Sequence, residues 1–347
     1  MDPHLLKIIA DCRQRAKWKR SSDAGVSAWV NREWFDGAHI EALNVVIATR
    51  GCKWYEAGGC SMCGYSNDSL PEGQAPDIAR QLQEVGKRYN GQPVIKVFTS
   101  GSFFDERELT ARERMQVVAS VRTLLSGARD KAPGNRLKFI VESRPEHIDE
   151  PKLREARAAL DDISLEIAIG LESANDRVLR DSINKGFDFA SYKKAADIII
   201  ASGARLKTYL MLKPPFLTES QAIEDCVGSV RTLKELGFPQ TISVNPMNIQ
   251  AFTLVEQMFD AGEYRPPWLW SVVEVLKQAK AITGDAHWLL CHPSAGGKHR
   301  GPHNCGKCDE EVLEAISDFS LTNDLGALDG LECPCKKEHR AALVDLQ

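Results

Sequence analysis

Ten cysteines stand in 347 residues, and eight of them cluster. Cys52, Cys60 and Cys63 form one group, in T-R-G-C-K-W-Y-E-A-G-G-C-S-M-C-G-Y-S. Cys291, Cys305, Cys308, Cys333 and Cys335 form the other; Cys12 and Cys226 stand alone. In a reducing compartment grouped thiols are more often metal ligands than disulfides. A four-iron cluster takes one thiolate per iron, so a three-cysteine loop leaves one iron open to an exogenous ligand. Gly58, Gly59 and Gly64 let the backbone wrap closely around such a group. A zinc site or three unrelated thiols are the plainer alternatives. In the second group, C-x-x-C (Cys305, Cys308) followed by C-x-C (Cys333, Cys335) suits a tetrahedral structural zinc. Four of those five cysteines are expected to hold it, with Cys291 a further candidate and His303 and His339 behind them. A second iron–sulfur cluster is the rival there. Cys226, inside a helical-looking run, reads as a small core residue.

The elements around the first loop alternate. Apolar, β-branched runs at 43–48, 94–99, 137–141, 163–169, 206–211 and 241–244 read as strands, with helical spacing between them. Six strands each followed by a helix imply a parallel sheet with right-handed crossovers. Six units are too few for a closed eightfold barrel, so the expected fold is α/β: a partial (β/α)6 barrel with a small C-terminal cysteine-rich, zinc-binding module. The expected divisions are a basic helical extension over 1–35, the barrel over 36–284 and the module over 285–347. The three-cysteine loop directly follows the first strand of this series, at the strand end where barrels place their chemistry.

Composition is that of an ordinary globular chain, 43% apolar and 27% charged. No apolar run approaches a membrane span, and the N-terminus lacks the continuous apolar stretch of a signal peptide. The expected location is cytoplasmic. The net charge of −4 argues against a uniformly basic nucleic-acid coat. Two local basic clusters remain: Arg13, Arg15, Lys17, Lys19 and Arg20, and Lys298, His299, Arg300 and Lys307.

The cysteine loop resembles that of radical S-adenosylmethionine (SAM) enzymes, and its seven-residue first gap resembles the branch containing the elongator catalytic subunit. The resemblance implies that Cys52, Cys60 and Cys63 carry a [4Fe–4S] cluster whose open iron chelates SAM. The turn T-S-G-S-F-F-D, with Gly101 and Ser102, is similar to the one that meets the methionyl amino group. The run E-S-R-P-E resembles a branch signature, implying that Glu142 and Arg144 contact the methionyl ends. Glu172 resembles a ribose-hydroxyl partner, and Asn248 and Gln250 an adenine or substrate shelf. Together with N-P-M-N-I-Q-A-F-T-L-V-E, Y-R-P-P-W-L-W-S-V-V-E-V-L and G-P-H-N-C-G-K-C-D, the chain resembles the archaeosine-forming radical SAM lyase family from about residue 30 onward. That likeness implies a tRNA substrate carrying a lysine adduct of 7-cyano-7-deazaguanine, made by an archaeosine synthase partner. It also implies an external reductant and a C–N bond cleavage that leaves archaeosine. A radical enzyme acting on a free small molecule and a non-enzymatic iron–sulfur or zinc RNA-binding protein are the competing readings.

Overall fold

The computed structural model describes residues 2–15 and 26–344. Lys17, Lys19 and Arg20 of the first basic cluster lie outside the described residues. One eight-stranded sheet runs in chain order: β1 (Ser27–Phe35), β2 (Ala38–Val46), β3 (Val94–Phe98), β4 (Lys138–Glu142), β5 (Ser164–Glu172), β6 (Arg205–Leu212), β7 (Thr241–Pro246) and β8 (Trp288–Leu290). β1 and β2 form an antiparallel hairpin, and every later neighbour pair is parallel. The helices are α1 (Pro3–Gln14), α2 (Lys53–Glu56), α3 (Ile78–Arg88), α4 (Ala111–Ser126), α5 (Glu150–Leu160), α6 (Phe189–Ala201), α7 (Glu219–Glu235), α8 (Leu254–Asp260), α9 (Leu269–Thr283), α10 (Asp309–Thr322) and α11 (Lys336–Val344). Crossovers through α3, α4, α5, α6, α7 and α9 link β2 to β8, which makes six βα units.

Side chains alternate along each strand with period two. Ile95 and Val97, Phe139 and Val141, Leu165, Ile167 and Ile169, Leu206 and Leu210, and Ile242 and Val244 enter the main core shared with the helices. The alternate positions face the concave side of the sheet. Phe35, Ile40, Ala42, Val94 and Ile140 form a small separate apolar cluster there. Above and beside it the concave face turns polar: Lys96, Lys138, Glu166 and Lys207 are all buried. Helix starts follow capping chemistry. Thr110 and Thr218 form capping boxes with Glu113 and Gln221, and Asp149 and Asp188 accept the first free N–H groups of α5 and α6.

The six expected strands correspond to β2 through β7. Two differences concern the edges. Residues 27–35, expected within a helical extension, are the antiparallel strand β1; among the described residues before them, α1 is helical. Residues 288–290, expected within the appended module, are the far edge strand β8. The rings of Trp34 and Trp288 stack with centroids 3.9 Å apart and planes 8° from parallel, so side chains bridge the two sheet edges. No helix among the described residues is long and apolar enough to cross a membrane.

Candidate functional site

Every residue singled out from strand ends lies at the C-terminal mouth of the sheet, because β2 through β7 are parallel and their following loops gather on one side. Cys52 leads into α2, and Cys60 and Cys63 follow it. Cys60 is buried, while Cys52 and Cys63 are half-buried. Burial pushes the Cys63 thiol up to about 12, and the neighbouring Cys60 and Cys52 add to that shift. Burial also raises Cys52, against the pull of Arg144. The three sulfurs therefore share one electrostatic environment, and Arg13, Arg144 and Lys185 supply its positive charge.

The loop is fixed from several sides. Arg13 of α1 donates to the carbonyls of Tyr55 (3.1 Å) and Cys60 (2.8 Å) and lies 4.3 Å over the Tyr55 ring. Residues Val178–Ile183 form a π-helical turn ending in left-handed Asn184. That turn accepts from the Trp54 indole (2.7 Å, at the Asn184 carbonyl) and from the Ser61 N–H (2.8 Å, at Ile183). Asn184 in turn donates to the carbonyl of Gly59 at 2.8 Å. Such π turns occur often at functional sites. At Gly101 a Cβ would sit 2.7 Å from the Cα of Cys52, so the turn after β3 reaches the cysteine loop only as glycine.

The other expected contacts fall at the same mouth with different individual roles. Ser102 is buried; its N–H is taken by Glu108 and its hydroxyl accepts the Arg144 N–H at 3.0 Å. Glu142 ends β4, where burial raises its carboxyl and the Tyr209 hydroxyl bonds to it. Arg144 pairs with Glu146 at 2.6 Å, donates to the Lys185 carbonyl at 2.9 Å, and lies over the Trp54 and Phe187 rings. Glu172 sits at a β-bulge with φ +70° and pairs with Lys185 at 2.9 Å. Gln250 accepts the Gly64 N–H and so clamps the cysteine loop, whereas Asn248 is half-buried in the loop that follows β7.

Two residues of this mouth were missed from sequence, and a third was read differently. Arg13 was noted only as part of a basic cluster, and Lys185 carries no local signal, because the partners of both lie far along the chain. Glu108 is buried beneath the loops, accepting from the Thr49 hydroxyl at 2.5 Å, and burial raises it to about 7. Its place inside D-E-R-E-L, a charged stretch, disguised it as surface.

The second cysteine group resolves sharply. The sulfurs of Cys305, Cys308, Cys333 and Cys335 all lie within 4.8 Å of one another. Cys305 meets Cys333, and Cys308 meets Cys335, at 3.7 Å each. The Trp270 indole points at the Cys335 sulfur (3.2 Å) and the Asn304 amide at that of Cys308 (3.4 Å). Cys291, offered as an alternative ligand, is instead in the core at the end of β8, close to buried Cys226. His303 and His339 are also outside the group: His303 contacts the Gly301 carbonyl and His339 the Ser271 hydroxyl. The loop joining β8 to this group returns to the mouth through Arg300, which bonds Glu256 at 2.6 Å, while its carbonyl accepts the Ile249 N–H at 2.7 Å. Arg300 is thus a strut, whereas Lys298 and Lys307 are exposed.

An open parallel half-barrel, a C-x7-C-x2-C loop after its first parallel strand and a four-cysteine module at its end define a radical SAM partial barrel. Comparison with known proteins specifies the family. The chain is 38% identical over 337 residues to archaeosine synthase subunit beta of Methanosarcina acetivorans, covering 96% of this chain and 94% of that one. It is 36% identical to the protein of the same name from Thermococcus kodakarensis, covering 89% and 93%. The chain belongs to the archaeosine synthase subunit beta family. No protein-family model matches it. Among solved structures, N-terminally truncated Elp3 of Methanocaldococcus infernus aligns at 16% identity with a TM-score of 0.49, covering 80% of this chain and 63% of that one.

Proposed function

We propose that this chain is a cytoplasmic radical SAM lyase of tRNA modification. It cleaves the C–N bond of a lysine adduct of 7-cyano-7-deazaguanine in tRNA to leave archaeosine. A partner synthase subunit forms the adduct, and a separate reductant supplies electrons. The observation that carries this reading is the convergence of Cys52, Cys60 and Cys63 with three cations at the mouth of a half-barrel. It occurs in a chain aligned along nearly its whole length with archaeosine synthase subunit beta.

The donor set fits the cofactor. Three thiols gathered at one mouth suit a [4Fe–4S] cluster with one open iron, and the cations Arg13, Arg144 and Lys185 would offset the negative charge of the loaded site. A reduced cluster there would supply the electron that splits SAM into methionine and a hydrogen-abstracting 5′-deoxyadenosyl group. The protein's part is to place the reactants. Glu142, braced by Tyr209, offers an acceptor for the methionyl ammonium. Arg144, held over Trp54 and Phe187, offers its carboxylate a cation. Glu172, turned inward by its bulge and fixed by Lys185, offers an acceptor for the ribose hydroxyls. Gly101 gives the cofactor's amino end close access to backbone oxygens, with Ser102 bracing Arg144 from behind. Asn248 and Gln250 line the adenine side.

For the second group we propose zinc on Cys305, Cys308, Cys333 and Cys335. Tetrahedral coordination with Zn–S near 2.3 Å puts neighbouring sulfurs about 3.8 Å apart, which matches the 3.7 Å contacts. An iron–sulfur cubane would hold its cysteine sulfurs further apart. The module anchors the basic loop beside the mouth, where Lys298 and Lys307 can meet tRNA phosphates. We also propose three divisions, an N-terminal extension, a catalytic barrel and a C-terminal module, with the expected bounds at 35/36 and 284/285 moved outward so that β1 and β8 belong to the barrel.

The decisive experiment uses tRNA carrying the adduct deuterated on the lysine side chain. Archaeosine and deuterated 5′-deoxyadenosine are expected together. Cleavage of SAM without deuterium transfer would overturn the lyase reading in favour of a different substrate.

A further inference from the structure

Two segments at the mouth have to keep a fixed spacing: the cysteine loop after β2 and the glycine turn after β3. Glu108 lies between them, fully buried. One of its carboxylate oxygens accepts the Thr49 hydroxyl at 2.5 Å, three residues before Cys52. The other accepts the Ser102 N–H, and the Thr99 hydroxyl at the start of the same turn also bonds the carboxylate. The Ser102 hydroxyl in turn accepts the Arg144 N–H at 3.0 Å, which carries the link to the end of β4. One side chain therefore joins the segments that follow three neighbouring strands.

The backbone of Glu108 is held as well. Its carbonyl accepts from the Arg50 guanidinium at 3.1 Å, and Arg50 pairs with Glu113 of α4 at 2.8 Å. Gly101 passes so close that a Cβ there would collide with the Glu108 carboxylate as well as with Cys52. A buried carboxylate is costly, and apolar side chains of like volume fill such a place more cheaply. What it adds is direction, because its lone pairs fix where donors from separate segments stand. The cysteine loop has its own clamps in Arg13, Asn184 and Gln250. The bridge from Thr49 to Ser102 bears instead on how far the glycine turn stands from that loop.

We propose that Glu108 is a positioning residue for SAM, which by bridging Thr49 and Ser102 sets the spacing between the cysteine loop and the turn that meets the methionyl amino group. This role rests on the cofactor reading given above. With both oxygens committed to the protein, Glu108 acts through the turn. A misplacement of about 1 Å in such a turn is enough to cost on the order of 10²-fold in rate.

The test reads SAM separately from the cluster. Iron and sulfide content, a SAM titration of the EPR spectrum of the dithionite-reduced full chain, and single-turnover formation of 5′-deoxyadenosine are measured on wild type and four variants. Glu108→Leu should keep its iron, lose about tenfold or more in SAM affinity, and form 5′-deoxyadenosine more slowly even at saturating SAM. Glu108→Gln should restore most of both. Its amide oxygen can take the Ser102 N–H, and its NH2 can face the Thr49 hydroxyl, which turns to accept. Thr49→Val should lie between the two, and adding it to Glu108→Leu should cost little more, because both remove the same bridge. Wild-type SAM affinity and rate in Glu108→Leu, additive losses in the double variant, or a fall in SAM affinity that only tracks lost iron would each overturn the role. Should Glu108→Leu not fold, Thr49→Val decides, and unchanged SAM affinity there overturns the bridge. Failure of the wild-type protein to bind SAM would overturn the cofactor reading itself, and this role with it.

Discussion

The guanidinium of Arg13 donates to the carbonyl of Cys60 across 47 residues of sequence, at 2.8 Å, and so pins the N-terminal helix onto the cysteine loop. The same group reaches the Tyr55 carbonyl and stacks on the Tyr55 ring. One side chain therefore ties the geometry of the loop to its electrostatics. Hydrogen bonds from a charged donor contribute about 1.5–3 kcal/mol each when well made. Arg13→Gln is expected to lower iron retention and to shift the cluster's midpoint potential to more negative values, because a nearby positive charge favours the reduced form. Arg13→Lys should restore most of the potential but not the retention, since an ammonium lacks the fork that spans two carbonyls. An EPR-monitored redox titration with iron analysis checks both; unchanged potentials in both variants would reduce Arg13 to a packing residue.

Cys52→Ala, Cys60→Ala and Cys63→Ala are each expected to abolish the four-iron spectrum and the dithionite-dependent formation of 5′-deoxyadenosine. Full cleavage activity in any one of them would remove that cysteine from the ligand set.

The four-sulfur group should hold about one zinc per chain. Cys308→Ser is expected to lose it and to lower the thermal midpoint, because metal binding is folding energy in a small module. Cys291→Ser should keep the zinc, since that thiol lies in the core. Anomalous scattering at the zinc and iron edges decides the metal, and iron at this position would defeat the assignment.

Asp225 gives a pH signature of its own. Its carboxyl accepts from the Ser173 hydroxyl at 2.9 Å, its Oδ2 has no partner, and burial raises it to about 6. For an acid whose folded pKa is raised, the folded state binds the extra proton. Stability is therefore greatest below about pH 4 for this group and falls as pH rises toward 6, by at most about 3 kcal/mol. Asp225→Asn should remove that fall, so that its stability relative to wild type is higher at pH 8 than at pH 4. Denaturant titrations at the two pH values measure it; parallel losses in variant and wild type would show that Asp225 is solvated in solution.

Replacing Lys298 and Lys307 together should weaken tRNA binding and flatten its dependence on salt, by roughly 0.7–0.9 of a log–log slope unit per lost phosphate contact. Arg300 is left out of this variant, because it braces Glu256 and the chain after β7. Filter binding across a salt series reads the slope, and an unchanged slope would move the tRNA contact elsewhere.

How much of this was legible depended on where each residue finds its partners. The β2 to β7 strands announce themselves as apolar, β-branched runs, and the cysteine motifs are local patterns. β1 does not: S-A-W-V-N-R-E-W-F carries Asn31, Arg32 and Glu33 in its middle, and an antiparallel edge strand tolerates such residues. β8 is only three residues long, too short for periodicity to separate it from the module. The charged layer of the lumen left a trace in V-I-K-V-F, K-F-I-V-E and R-L-K-T-Y-L, where a charge alternates with apolar residues. Its meaning appears only when three strands bring Lys96, Lys138 and Lys207 to one face. Ser102 shows the converse: its motif was recognisable, but its hydroxyl is spent on Arg144.

The stacked rings of Trp34 and Trp288 have a consequence for how the protein is made. These rings join the first strand of the sheet to its last, so this bridge between the edges cannot form until nearly five-sixths of the 347 residues have left the ribosome. Contacts between such distant segments form slowly, because the intervening chain must first be ordered. Until then β1 presents an unshielded edge and Trp34 an apolar ring without its cover, the features that make nascent chains stick to one another. Demand for chaperones should thus peak late in synthesis, and shortening the chain before residue 288 should leave a product that expresses but aggregates.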